Sequence, residues 1–191
     1  MIIRPATVVD MERCERLSGA YATQYVWQMS ENVSSGEMSI SFRRARLPRS
    51  MQVAYPRSIE GLTEDVQRQE CFLVADELGH MLGFLDMIVR DWQEQAWIEH
   101  LVVHPPYRRR GIASDMLDIA EKWARDNALN CITAPLQSKN HPAIALLSQR
   151  GYSFCGYVDN HFCSGESALL YSLHTGPDSQ SAHSYHSPSK R

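Results

Sequence analysis

Apolar and polar positions follow two rhythms along this chain. Residues 71–76 (CFLVAD) and 81–89 (MLGFLDMIV) are short, nearly continuous apolar runs separated by Glu77-Leu78-Gly79-His80. Runs of that length around a glycine-bearing turn predict a β-hairpin. Residues 97–104, 130–136, 153–158 and 168–174 read as further strands. The second rhythm holds over 111–126, where Ile112, Met116, Leu117, Ile119, Ala120, Trp123 and Ala124 recur near the 3.6-residue period of a helix. A shorter helix is predicted over 141–150, closed by Gly151 at the position past a helix end that favours glycine.

The N-terminal third is less regular. MIIRPATVVD reads as a short strand leading into a helix, with Thr7 and Asp10 spaced as a capping box. It lacks the basic-then-apolar pattern of a secretory signal. The region up to about residue 30 is predicted to be helical, and ENVSSGE (31–37) to be an irregular separator. Residues 40–47 predict a strand whose exposed face is basic, with Arg43, Arg44, Arg46 and, just beyond, Arg49. Such a cluster is more often a solvated face than an anion site. Residues 60–69 suit a short helix. The Ser- and Pro-rich end, 176–191, has little to bury and is predicted to be a disordered tail. The expected architecture is therefore α/β, a mixed sheet flanked by helices, carried by one domain over residues 1–175.

Composition narrows the function classes. A chain of 191 residues suits one domain. The formal charge of −3 argues against a general grip on nucleic acid. No apolar run approaches the roughly 18–20 residues of a membrane span. Five widely spaced cysteines (Cys14, Cys71, Cys131, Cys155, Cys163) include no C-x-x-C pair, so they read as free thiols in a reducing cytoplasm. The eight histidines are scattered, with His174, His183 and His186 at or beyond the last strand, and no metal site is expected.

The chemistry concentrates in residues 97–124, WIEHLVVHPPYRRRGIASDMLDIAEKWA. A strand runs through a Pro-Pro turn into Arg108-Arg109-Arg110-Gly111-Ile112-Ala113 and then the long helix. Gly111 allows close backbone approach and unusual dihedrals. The unpaired N–H groups of the first helical turn, with the helix dipole behind them, favour an anion. The arginines add charge-assisted hydrogen bonds to phosphate. No G-x-x-x-x-G-K-[ST] loop is present. A basic surface turn before an ordinary helix would give the same local pattern.

This loop resembles the acetyl-coenzyme A-binding motif of the GNAT N-acetyltransferase superfamily, [Q/R]-x-x-G-x-[G/A], with Arg108, Gly111 and Ala113 in its fixed positions. Leu101-Val-Val-His-Pro105 before it is also family-like, and Asn140-His-Pro-Ala-Ile-Ala-Leu-Leu-Ser-Gln-Arg-Gly-Tyr152 resembles the second signature, N-x-x-A-x-x-L-Y-x-x-x-G-[F/Y]. The resemblance runs from about residue 73 to 171. Within the superfamily, WIEHLVV (97–103), EKWA (121–124) and Gly151-Tyr152 look most like streptothricin-type acetyltransferases.

The resemblance implies a GNAT-like fold and acetyl-coenzyme A as co-substrate. Leu101, Val102 and Val103 would pair with the pantetheine arm through backbone groups. Arg109, Arg110, Gly111, Ile112, Ala113 and Ser114 would surround the pyrophosphate, with Arg108 beside it. Asn140 would hold the cofactor near the pantetheine; a helix N-cap is the alternative for that residue. The acceptor would be a primary amine of a small molecule or peptide, with neither nucleic acid nor membrane as partner. Sheet-edge homodimers are common among such proteins.

Acetyl transfer needs a free amine, and alkyl amines are protonated at neutral pH. Glu99, on the strand beside the acetyl group, is the candidate base, a salt-bridged strand carboxylate being the alternative. Alternation turns His100 to the opposite face, so it serves only if the strand bulges. A backbone N–H near 101–103 would supply the oxyanion donor. Leu147 departs from the family, where a tyrosine often protonates the leaving thiolate. Tyr152, Tyr157 and Ser148 are candidate replacements, Tyr152 more readily a core residue. Pro135 and Leu136 stand where some peptide N-terminal acetyltransferases carry a glutamate. Trp92 and Trp97 bracket a loop expected near the acceptor mouth. A silent acyl-coenzyme A sensor is the competing reading.

Overall fold

The computed structural model describes residues 1–176, so all but the first residue of the expected polar tail lies outside the described residues. Among the described residues, nine strands form two sheets, accompanied by four α-helices. The main sheet has seven strands in the order β1 (Ile2–Pro5), β4 (Cys71–Glu77), β5 (His80–Arg90), β6 (Gln95–Val103), β7 (Cys131–Gln137), β9 (Ala168–His174) and β8 (Ser153–Val158). It is mixed: only β6 and β7 run parallel. Helix α3 (Ile112–Asp126) makes the crossover between them, as a parallel connection requires.

The helix buries the stripe that its sequence announces. Ile112, Met116, Leu117, Ala120 and Ala124 pack on one face of the sheet with Leu85, Met87, Ile98 and Ile132. Ile119, expected in that stripe, is exposed. Its place is taken by Glu121, whose buried carboxylate accepts two 3.0 Å hydrogen bonds from Arg150 at the end of α4 (His141–Gln149). A bidentate pair satisfies both groups where a lone charge would be costly. On the opposite face, α1 (Met11–Glu15) and α2 (Leu62–Gln67) cover a second cluster that includes Cys14, Leu62, Phe72, Val74, Phe84 and Val102.

Local signals account for most boundaries. The β4–β5 turn places Leu78 and Gly79 at φ 50° and 83°, the paired positive values of the tight hairpin turn. Thr7 and Asp10 form the expected box, with the Thr7 amide and hydroxyl both donating to the Asp10 carboxylate at 3.0 and 2.8 Å.

The N-terminal helical expectation is overturned. α1 has five residues, and the chain then forms a long antiparallel arm, β2 (Tyr21–Ser34) and β3 (Glu37–Val53), with the turn at Ser35-Gly36 inside the expected separator. The physical reason is side-chain shape. Tyr21, Thr23, Tyr25, Val26 and Trp27 are aromatic or β-branched, and Tyr21 and Thr23 alternate inward with exposed Ala22 and Gln24. The arm is moored at its base by Tyr21 Oη donating to Gln137 Oε1 (2.8 Å) and the Trp27 amide donating to the Ser138 carbonyl (2.9 Å). Farther out, Phe42 meets the rings of Phe154 and Tyr157 at 5.4 and 5.7 Å.

Among the described residues, no helix is long and apolar enough to cross a membrane. All five cysteines are unpaired; Cys14, Cys71 and Cys131 are buried, Cys155 and Cys163 exposed.

Candidate active site

Strands β6 and β7 pair only through Gln95–Trp97 and Cys131–Thr133. Beyond Trp97 they diverge, while β6 stays paired to β5 through Val103. One edge of β6 is therefore left without a strand partner over residues 98–103. The gap it opens is a cleft of about 370 Å³.

The far wall of this cleft is the loop into α3. Arg109 and Gly111 both adopt positive φ, 63° and 85°. That backbone favours glycine at 111, and it turns successive amides the same way. Among the described residues, the amides from Arg109 to Ser114 donate to no protein acceptor; the Asp115 amide is the first to enter the helical ladder. Six N–H groups without a protein acceptor, running from the loop into the positive end of a 15-residue helix, are an arrangement that suits an anion.

The structure brings together Leu101, Val102, Val103, Arg108, Arg109, Gly111, Ile112, Ala113, Ser114 and Asn140 in the lining of this one cleft. Arg110 does not line it; its guanidinium lies over the Tyr107 ring, 5.3 Å from the centroid. Arg108 has a structural task, donating from Nε to the Val103 carbonyl (2.8 Å) and from Nη2 to the Ser18 carbonyl (3.2 Å). It pins the loop to β6 and to the α1–β2 connection. Asn140 caps α4, its Oδ1 accepting from the Ala143 amide at 3.2 Å, while still lining the cleft.

A smaller cavity of about 60 Å³ adjoins the cleft, sharing Tyr55, Leu101, Asn140 and Ala143 with it. Glu99 lines this second cavity and is ion-paired to Arg57. Arg57 also lies 5.9 Å from the centre of the Phe162 ring and 3.4 Å from His161 Nε2. Leu147 lines the same cavity and is fully buried.

Glu99 is aimed by a β-bulge. Asp86 pairs with His100 and Met87 with Ile98, so Glu99 has no register partner. The extra residue also switches the faces of the strand. Ala96 and Ile98 before it, and Leu101 and Val103 after it, pack with the α3 cluster, whereas Val102 joins the α1/α2 cluster. The bulge that the sequence required for His100 to serve is thus present, but His100 turns into the α1/α2 face. There it sits near the Phe84 and Tyr55 rings and lines neither cavity. Burial holds its pKa down to about 4, so the imidazole is neutral near pH 7.

The other candidates fall away from the cavities. Tyr152 is in the core, Tyr157 packs on Phe42, and Ser148 is exposed. Trp92 is 84% exposed, and Trp97 stacks under Arg90 at 3.7 Å. Arg43, Arg44, Arg46 and Arg49 are exposed on β3, with Arg44 over the Tyr25 ring. None of these lines either cavity. Tyr55, Arg57 and Phe162 were not legible as site residues. They come from loops before α2 and between β8 and β9, and no spacing ties them to residue 99. The aromatic-Pro-Arg sequence just past a strand was the one available signal.

The family model described as "Acetyltransferase (GNAT) family" matches residues 39–152, more than half of the chain. The chain belongs to the GNAT acetyltransferase family. A streptothricin acetyltransferase from Escherichia coli is 31% identical over 90 residues, which is 44% of this chain and 52% of that protein. The chain thus spans about half the length of this curated relative. A solved nourseothricin acetyltransferase superposes with a TM-score of 0.77 at 20% identity, covering 91% of this chain and 98% of that one. A Bacillus anthracis protein assigned as a streptothricin acetyltransferase, solved with acetyl coenzyme A, gives 0.70 at 19% identity, covering 91% and 96%. At those identities the two structures establish the GNAT fold.

Proposed function

We propose that this GNAT protein transfers the acetyl group of acetyl-coenzyme A to a primary amine of a small molecule or peptide, by direct attack on the thioester. The observation that carries the reading is the run of unengaged amides from Arg109 to Ser114, of which all but Arg110 belong to residues lining the same cleft as the unpaired edge of β6. The first suits a pyrophosphate. The second suits an extended amide-bearing arm that adds to the sheet like a strand.

The amine enters from the side of the smaller cavity. Glu99 takes a proton from the attacking nitrogen, directly or through one water, and Arg57 fixes the rotamer of its carboxylate. A backbone amide near Leu101 stabilises the oxyanion, which asks for no side chain. Streptothricin-type amines are the first acceptors to test, since the Escherichia coli relative and the Bacillus anthracis structure carry that name. The unpaired cysteines fit action in a reducing cytoplasm.

Coenzyme A release is measured with streptothricin, aminoglycosides, polyamines and short peptides. Turnover on at least one amine supports the reading. Tight coenzyme A binding with no turnover on any amine favours a sensor domain, to which the buried Leu147 in place of a proton donor would be suited.

A further inference from the structure

Four residues line both cavities: Tyr55, Leu101, Asn140 and Ala143. This seam is where a thioester in the cleft would meet an amine in the smaller cavity. Leu101 and Ala143 have apolar side chains, and Asn140 is committed to capping α4. Of the four, Tyr55 alone carries an ionisable O–H.

Its position is built, not incidental. The Tyr55 ring lies on Gly19 so closely that a Cβ there would stand 2.5 Å from Cγ, which only glycine permits. At the other end, Tyr55 Oη is 3.1 Å from His100 Nδ1. The strand bulge at Glu99 is what turns His100 toward it. Burial holds the Tyr55 phenol well above its ordinary pKa, so it keeps its proton throughout the neutral range. The neutral His100 can donate through Nδ1 to the phenol oxygen, leaving the phenolic proton free to point into the seam.

Building on the acetyltransferase reading above, we infer that Tyr55 donates the proton that the departing thiolate takes up, with His100 as its positioning residue. The amine lone pair forms the C–N bond, and the C–S bond breaks with its electron pair left on sulfur. The Tyr55 O–H proton passes to that sulfur, giving the free thiol. The proton shed by the acceptor nitrogen onto Glu99 balances it, and the phenolate regains its proton through solvent. Tyr55 thereby fills the role that the buried Leu147 has no proton to perform.

The test compares Tyr55→Phe with the parent, using streptothricin, or another amine that the parent turns over, as acceptor. With acetyl-coenzyme A as donor, turnover falls about 100-fold, while coenzyme A affinity by calorimetry stays within twofold. With S-acetyl-4-nitrothiophenol, whose thiolate leaves unprotonated, the deficit in kcat/KM shrinks below threefold. His100→Gln, which can still donate a hydrogen bond, keeps more activity than His100→Phe. Tyr55→Phe turnover within threefold of the parent, or an equal deficit with both donors, overturns the role of Tyr55 and leaves the acetyltransferase reading standing. A parent that binds no coenzyme A and acetylates no amine overturns both.

Discussion

The guanidinium of Arg57 closes on the carboxylate of Glu99 at the mouth of the smaller cavity, joining the loop before α2 to the bulge of β6. Both side chains are about one-fifth exposed, at 23% and 19%.

Replacing Glu99 by Gln keeps the shape and removes the base. Turnover should fall about 100-fold or more, most steeply at low pH where the amine is protonated, with coenzyme A affinity unchanged. A pH–rate profile with the parent's shape and height would reject Glu99 as the base.

Gly111 sits at φ 85°, and a Cβ there would meet nothing nearer than the Asp115 carboxylate at 3.9 Å. A tryptophan there strains the backbone by about 1–3 kcal/mol and covers the free amides. Gly111→Trp should abolish coenzyme A binding in calorimetry while leaving the far-ultraviolet dichroism intact. Parental affinity would count against an anion site at these amides.

Asp10 is buried and held by Arg4 Nη1 and Nη2 at 2.7 and 2.8 Å, with Arg13 at 3.5 Å and both Thr7 donors. The Arg4 hydrogen bonds hold its pKa far below the usual carboxylate range. With the folded value depressed, this stability is present above the ordinary value of 3.8 and is lost as pH falls below it. Asp10→Asn should cost about 2 kcal/mol at pH 7, less than a severed buried pair because Arg4 and Arg13 can turn to water. Urea unfolding at pH 7 and pH 3 checks it: the gap between the two proteins should narrow at the lower pH without closing, because the folded carboxylate still holds its charge there.

Asp86 behaves oppositely. It lies across the strand pair from His100, and its Oδ2 has no hydrogen-bond partner. Burial, with Asp65 and Glu99 nearby, raises its pKa from 3.8 to about 7. Below 3.8 the folded and unfolded chains both hold the proton. As pH rises from 3.8 toward 7 the unfolded chain releases it first, so stability falls, and above 7 the deficit is complete. At 1.36 kcal/mol per pKa unit, the upper scale is about 4 kcal/mol. Asp86→Asn should therefore stabilise the protein at pH 8 relative to pH 4. An equal effect at both values would contradict this origin.

The half of the candidate site that was legible in the sequence is the half that one continuous stretch encodes. β6, the arginine–glycine loop and α3 are contiguous, and backbone recognition needs only a strand, a glycine and a helix start, each with its own local signal. The strands of the main sheet were legible for the same reason. The β2–β3 arm was not, because Ser35-Gly36 is a weak turn signal and aromatic residues serve helices and strands alike when burial is unknown. A bulge in β6 was a condition for His100 to serve, but its presence at Glu99 was not legible, since an inserted residue leaves no mark on a short apolar run. Tyr55 needed three facts from distant segments: the bare Gly19, the turned His100 and the parting of β6 from β7.

In the proposed function, a coenzyme A diphosphate rests on the main-chain amides of Arg109 to Ser114. A crystal structure of the protein with coenzyme A tests it most directly. Phosphate oxygens are expected within hydrogen-bond distance of those amides, with the pantetheine arm along the open edge of β6. Amides left without the nucleotide, with the ligand lodged elsewhere on the protein, would contradict it.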